Sequence, residues 1–374
     1  MSHAVTRREV LQGLLATSVA LSADWPALAQ GEEIIPFTDL PAPQRGRVPP
    51  TLETFFTPND AFYNVQHYPT PAPVDPAAFR LRVSGLVDRP IELTLADLKK
   101  RARLEQVVGF ECGGNNSARG NPLMGNAKWV GTSVAALLKE CRPRATAREV
   151  VFFSIDEGEE EIVHGGAPEK VKQNFARALA LEDALRPEVM FAWEMNGADL
   201  PHDRGAPVRL IVPGWYGVAN VKWVTQIHVQ DTRFVGRFMG RDYVTLRGED
   251  IGGVTRWTET WVSRIRVKSA IARLARSGDR FKAYGFALTD GTPLKSIEVS
   301  VDGGAWKPAV LDKRNTTYSW QLFSWEGPAL APGEHTIVSR ATDAHGTVQP
   351  TEADIASKKT RWENNGQFVR KFKI

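Results

Sequence analysis

The sequence predicts an α+β fold in which a mixed first domain is followed by a separate β-sandwich. Up to residue 262, short strand-like runs alternate irregularly with short amphipathic stretches, an order that suits α+β rather than regularly alternating α/β architecture. From Ser263 onward, strand-like runs follow one another with almost no helical spacing. Ser277-Gly278-Asp279, Asp290-Gly291 and Asp302-Gly303-Gly304 punctuate them, which is the rhythm of a sandwich. The 374 residues, 42% hydrophobic and 24% charged, suffice for two globular units with room for a buried site. The expected division is residues 1–29, 30–262 and 263–374, with no internal repeat.

Residues 1–29 read as an export leader. Thr6-Arg7-Arg8-Glu9-Val10-Leu11 precedes an uncharged apolar stretch from Gly13 to Ala23, and Ala27-Leu28-Ala29 has the small-x-small form of a cleavage site. The paired arginines make it a twin-arginine signal, with the periplasm as expected location. Prolines 36, 41, 43, 49, 50 and 58 turn the next stretch into an extended arm over a domain surface, with no helix. FRLRVSGLV and IELT read as strands on either side of the turn at Asp88-Arg89-Pro90, and a short helix starts near Leu95. Val134, Leu137, Leu138 and Cys141 fall at helical spacing, which assigns Cys141 to a core. EVVFFSID and EEEIVHG read as two short strands, ALALEDALR as a helix, and VRLIVPG as a buried strand. In the second unit RIRVKSAIARL, RFKAYGFAL, SIEVSVDGGAW, YSWQLFSWEG and HTIVSRATD are the expected strands.

Composition excludes some functions. With 47 basic against 43 acidic residues and no basic run interleaved with aromatics, the chain lacks the footprint of a nucleic-acid binder. After residue 30 nothing approaches the roughly 18 apolar residues a spanning helix needs. The two cysteines, Cys112 and Cys141, lie in different surroundings, so a disulfide between them is not favoured.

The chemically informative stretch is VVGFECGGNNSARGNP, from Val107 to Pro122. Apolar residues lead to Cys112, after which Gly113, Gly114, Asn115 and Asn116 let the backbone turn sharply and approach a bulky group. A thiolate there suits a sulfur-liking transition metal, but one cysteine cannot build a zinc or iron-sulfur site. A pterin dithiolene supplies two sulfurs of its own and needs only one from the protein. A buried structural thiol is the plainer reading of the loop alone, and a cysteine nucleophile would need a base such as His67, His164 or His202 nearby.

Taken together, TLETFFTPNDAFYNVQHYPTP, GFECGGN, WVGTSVAALL, FAWEMNGADLPHDRGAPVRLIVPGWYGVANVKWV, IEVSVDGGAWKPA and HTIVSRATDAHGTVQPT resemble, in order and over nearly all of residues 50–374, the sulfite oxidase family of molybdopterin enzymes. The bacterial periplasmic sulfite dehydrogenases are the members most resembled. The resemblance implies a molybdopterin-binding domain followed by an immunoglobulin-like dimerisation domain, with molybdenum and molybdopterin as cofactors. It makes Cys112 the metal's thiolate ligand and puts Asn64, Val65, Gln66 and His67 against the pterin. Arg204 and Arg209 stand where the family holds pyranopterin and phosphate, a task suited to fixed guanidinium donors. Lys222 in NVKWV is a further cofactor contact, and Tyr216 to Asn220 line the pterin slot. Tyr243, with Asp242 beside it, matches the active-site tyrosine that would help move a proton.

The chain also departs from the family. Val65 and Ser117 stand where many members carry arginines, and Arg119 and Arg361 are the expected substitutes around a small dianion. The implied reaction is oxidation of sulfite to sulfate. With no CxxCH motif and no iron-sulfur cysteine set, the electrons go to a separate acceptor, a periplasmic c-type cytochrome. A homodimer through the second domain is also implied. Two other classes stay open: a related enzyme acting on sulfane or thiosulfate-derived sulfur or a sulfoxide, and an exported, non-enzymatic immunoglobulin-like binding module.

Overall fold

The computed structural model of the chain describes residues 32–39, 52, 54–116, 120–163, 165–278, 280–356 and 358–374. The leader around Arg7 and Arg8, and the loop residues Ser117 and Arg119, lie outside the described residues. In chain order the strands are β1 (Glu33–Ile35), β2 (Arg80–Gly85), β3 (Ile91–Thr94), β4 (Arg103–Glu111), β5 (Met124–Ser133), β6 (Glu149–Ile162), β7 (Glu169–Ala180), β8 (Met190–Met195), β9 (Ala198–Asp199), β10 (Arg209–Ile211), β11 (Val224–Gln230), β12 (Val244–Ile251), β13 (Val254–Trp261), β14 (Lys268–Ser277), β15 (Arg280–Leu288), β16 (Leu294–Val301), β17 (Lys307–Pro308), β18 (Val310–Leu311), β19 (Gln321–Gly327), β20 (Glu334–Asp343) and β21 (Arg370–Lys373).

Strand outweighs helix, 46% against 10%, so the helical half of the expected α+β character is carried by pieces of four to eight residues. One of these is the helix Val134–Cys141. Ser133 caps it by accepting from the Ala136 amide, and Arg142 ends it in the left-handed region at φ 55°. Its face of Val134, Leu137, Leu138 and Cys141 is buried as the spacing predicts, and burial pushes the Cys141 thiol up to about 11. The Leu95–Lys99 helix carries a capping box between Thr94 and Asp97. The helix expected over ALALEDALR shrinks to Leu181–Ala184, because β7 keeps pairing with β6 as far as Ala180. The two strands expected in EVVFFSID and EEEI are a single β6 of 14 residues with a register shift between Phe153 and Glu157.

One sheet runs β3-β2-β11-β6-β7, and a second runs β10-β8-β5-β4 with β9 on β8. Helix Val134–Cys141 packs into the core built mainly on the first of these. The C-terminal part has two sheets, β1-β14-β15-β19-β18 and β17-β16-β20-β21. Ile271, Leu274, Phe281 and Phe323 from one meet Ile297, Val299, Ile337 and Phe372 from the other in a common core. The arm is not independent of them: β1 pairs antiparallel with β14, matching Glu33 to Arg276. A further core joins the two halves of the molecule, packing Phe62, Phe110, Trp129 and Tyr243 with Tyr284, Phe286, Trp320 and Leu322.

Strand β4 alternates in exposure at its start and is wholly buried over its last four residues, so it drives inward and delivers Cys112 just beyond its end. A hairpin the sequence reading did not anticipate, β12–β13, projects after Tyr243 with Gly252-Gly253 at its turn, both at positive φ.

Candidate active site

The described part of the loop after β4 is tied down by hydrogen bonds. The Cys112 amide donates to the Leu123 carbonyl (2.9 Å), the Asn115 amide to the Cys112 carbonyl (2.8 Å), and the Leu123 amide to Asn115 Oδ1 (2.9 Å). Glu111 Oε2 accepts from Asn115 Nδ2 (2.9 Å) and from Lys268 Nζ (2.8 Å), in an ion pair 1% exposed on both sides. Lys268 belongs to β14, so the C-terminal sheets anchor the residue next to Cys112. A Cβ on Gly113 would lie 2.9 Å from Val262, and one on Gly114 3.0 Å from Trp362, which is why this turn needs glycines. Cys112 itself is 7% exposed, and neither cysteine is in a disulfide.

Cys112 opens into a cleft of about 630 Å³, its mouth included. Asn64, Val65, Gln66 and His67 form one wall, Arg204, Arg209 and Lys222 supply its charge, and Tyr243 stands with Cys112. The structure therefore gathers into one space residues spread over 180 positions of sequence, each of which the sequence reading had singled out.

At the cationic end, Arg204 pairs with Asp203 and also donates to the Asp60 carbonyl (3.3 Å). Lys222 Nζ donates to Asn64 Oδ1 (2.8 Å), and its pKa is pushed down to about 7 by burial first and then by Arg209. Arg209 lies deeper than expected of a direct phosphate ligand. Its Nη1 and Nη2 donate to the carbonyls of Arg204 (2.8 Å) and Asn220 (3.0 Å), its guanidinium lies 5.0 Å from the Trp129 ring centre, and burial pulls it down to about 9. Its charge underlies the cleft while its donors fix the cleft's backbone.

At the thiol end, Tyr243 is 3% exposed and sits at φ 57°, a conformation rare outside glycine. Its hydroxyl is 2.9 Å from His67 Nε2, and burial, then the thiol of Cys112, raise its pKa far above that of an ordinary phenol. His67 is exposed at the cleft mouth, yet its ring packs between Phe175 (5.7 Å, interplanar 3°) and Phe238 (4.7 Å). Desolvation, assisted by Arg237 and Lys222 and opposed by Asp242, pushes it down to about 4, so it is a neutral acceptor at pH 7. Arg177 of β7, 1% exposed, fixes the backbone flanking Tyr243: it donates to the Phe238 carbonyl and to the Val262 carbonyl (2.6 Å).

Two expected site residues stand apart from the cleft lining. Asp242 is held by Arg237 Nε (2.8 Å), since its backbone position turns it toward the helix Arg237–Gly240. Arg361 is exposed, its guanidinium 4.5 Å over the Trp362 ring, and Trp362 in turn stacks on Tyr243. Conversely, Tyr63, Asp156 and Phe175 line the cleft without having been singled out. Only the position of Tyr63, inside the quoted AFYNVQH segment, gave a signal. Among the described residues no three His, Cys, Asp or Glu side chains converge as a metal site.

Residues 67–238 match the family of the oxidoreductase molybdopterin binding domain. The chain is 31% identical over 325 residues to sulfite oxidase of Gallus gallus, covering 80% of this chain and 69% of that one. It is 28% identical over 340 residues to mitochondrial sulfite oxidase of Rattus norvegicus, 82% of this chain but only 60% of the relative's length. The fold is that of the sulfane dehydrogenase SoxCD from Paracoccus pantotrophus, with a TM-score of 0.73 at 22% identity, covering 100% of this chain and 96% of that one.

The cleft fits the group such a domain holds. Tyr63 Oη is buried in the cleft wall with no hydrogen-bond partner among the described residues, and Gly217 leaves it room, since a Cβ there would lie 2.0 Å from that oxygen. A flat, polar-edged heterocycle with an anionic tail answers an orphaned hydroxyl, a neutral imidazole and a cationic end in a single slot. The chain belongs to the sulfite oxidase family of molybdopterin oxidoreductases, and its cofactor is molybdenum carried by molybdopterin.

Proposed function

We propose that the protein oxidises sulfite to sulfate, with Cys112 as the protein's ligand to molybdenum. When bound, the molybdenum centre supplies two-electron oxidation, with the added oxygen drawn from water. Asn64 to His67, Arg204 and Lys222 hold the pterin and its phosphate, with Arg209 fixing the backbone beneath them. Tyr243 keeps its proton through the pH range in which enzymes work, so its hydroxyl donates to His67 Nε2 while its oxygen is left to accept from the reacting site, and a proton taken up there can be relayed to the imidazole. Oxidation of sulfite by water releases two protons and two electrons. The protons have this hydroxyl–imidazole pair at the cleft mouth, and we assign the electrons to an external c-type cytochrome. Arg119 and Arg361 are proposed to supply positive charge for the oxyanion.

The observation that carries the reading is the convergence of Cys112, Tyr243, His67 and a three-cation end in one cleft. We further propose twin-arginine export to the periplasm, and a homodimer formed through the immunoglobulin-like C-terminal domain. A specific observation favours a second reading, oxidation of less charged sulfane sulfur: Val65, Phe175 and a neutral His67 give the described part of the thiol end little fixed positive charge.

Metal and pterin analysis of the purified protein and of Cys112→Ser, combined with reduction of ferricyanide or cytochrome c by sulfite, tests the assignment. The expected result is about one molybdenum per chain with sulfite-dependent reduction, and a loss of at least a hundredfold in Cys112→Ser with the fold retained. A metal-loaded parent protein inert to sulfite would transfer the case to the sulfane reading, and a protein without metal would sink both.

A further inference from the structure

The segment preceding β21 reaches back across the molecule onto the Cys112 loop. The Glu363 amide donates to the Gly113 carbonyl (2.8 Å). Glu363 is 1% exposed, its backbone lies in the left-handed region at φ 56°, and its carboxylate pairs with Arg247 Nη2 (3.3 Å) on the hairpin that follows Tyr243. Lys358 Nζ donates to the Glu363 carbonyl (2.8 Å). These bonds set the indole of Trp362, which stacks on Tyr243 with ring centres 4.3 Å apart and planes at 25°. The same indole closes on Gly114, where a Cβ would be only 3.0 Å from it.

We propose that Trp362 is a positioning residue for Tyr243, and that the C-terminal segment is thereby part of the active site. Tyr243 is buried in the core with Phe62, Phe110 and Val262 and its hydroxyl also meets Cys112, but what lies flat on its ring is the Trp362 indole. Its hydroxyl bond to His67 constrains the tip, and the His67 ring meets it edge-on (5.4 Å, 82°), whereas the face-to-face contact comes from Trp362. Loss of the indole removes that stacking and vacates the space beside Gly114, so the phenol can tilt and its hydroxyl shift relative to Cys112 and His67. Trp362 is half-buried and borders solvent, so its removal opens no sealed core cavity and leaves the fold standing.

The inference rests on the proposed role of Tyr243, and the test separates the two. In the molybdenum-loaded full chain, Trp362→Leu and Trp362→Phe are compared with the parent for metal content, melting midpoint, the absorption spectrum of the metal centre, and the rate at which sulfite reduces that centre in stopped flow. Trp362→Leu is expected to keep metal and midpoint, to shift the spectrum, and to slow reduction about 30- to 100-fold, the scale of loss when a reacting group is misplaced by an ångström. Trp362→Phe, which can still stack, is expected to return the rate to within about threefold. In a Tyr243→Phe background, Trp362→Leu should add no further loss, since both act through one hydroxyl. Unchanged spectrum and reduction rate with slowed transfer to cytochrome c would overturn positioning in favour of an electron exit through the indole. Equal loss in the Phe and Leu variants together with lost metal would make the role structural. If the parent itself fails to react with sulfite, the substrate assignment falls, and the spectra of the two variants still decide the positioning.

Discussion

Tyr243 and His67 share one hydrogen bond, and burial decides where its proton lies. Desolvation raises the phenol and lowers the imidazole, so the hydroxyl donates and Nε2 accepts. A histidine whose folded pKa falls from 6.5 to about 4 is neutral throughout that window, while the unfolded chain takes up a proton there. Stability contributed by the neutral ring is therefore present above pH 6.5 and is lost as pH falls through this window. The imidazole resonances should titrate near pH 4, identified by their disappearance in His67→Gln. A midpoint near 6.5 would mean that the ring is solvated and no standing acceptor. At this scale the sequence was informative wherever a residue sits inside a local block: Cys112, His67, Arg204, Lys222 and Tyr243 all line the cleft. It was silent on Asp156, Phe175 and Trp362, because strand register and a returning segment bring them in, and adjacency to Tyr243 did not reveal that the Asp242 carboxylate is held by Arg237 outside the cleft lining.

Strand β4 shows how an element carries chemistry. Its buried end delivers Cys112, and the last residue of the strand, Glu111, is locked to Lys268 in a pair 1% exposed on both sides. Removing one partner leaves the other buried without its counter-charge, so Glu111→Leu is expected to cost about 3–5 kcal/mol, as measured by denaturant unfolding. Glu111→Leu combined with Lys268→Met removes both charges and should recover most of that loss, although the Asn115 side chain still loses an acceptor. Stability unchanged in the single variant would show that water reaches the pair. The strands were legible from their apolar runs, down to the exact limits of IELT and RFKAYGFAL. The short helices were less so, because ALALEDALR carries helical spacing that the β6–β7 ladder overrides. The exposed β12–β13 hairpin has no buried face to leave an alternating pattern, and Gly252-Gly253 alone marked it.

At the scale of the whole molecule, the arm laces the chain's start to its end. β1 extends the sheet at β14, Phe37 bridges to Phe372, and Asp39 Oδ2 lies 3.1 Å from Arg370 Nε. Arg370 is 2% exposed, burial lowers its pKa and Asp39 opposes that, and its guanidinium lies 3.7 Å from the Phe37 ring centre. Of the arm expected from the prolines only residues 32–39 are described before residue 52, Pro41, Pro43, Pro49 and Pro50 lying outside the described residues, and which surface receives that start is a tertiary matter: the pairing depends on an edge of β14 that no local pattern reveals. A carboxylate that neutralises one buried guanidinium and a ring packed on its face make the arm a fastener of the two C-terminal sheets. Asp39→Ala removes the counter-charge and leaves the Phe37 contact, so the C-terminal part should lose about 3 kcal/mol, whereas the cleft, lined from β4, β6, β7 and β10, keeps its shape. The expected signature is earlier hydrogen exchange in β14 and β21 with metal content unchanged. If exchange in those strands stayed at the parent level, Arg370 would be satisfied without the arm, and the arm would be only a covering.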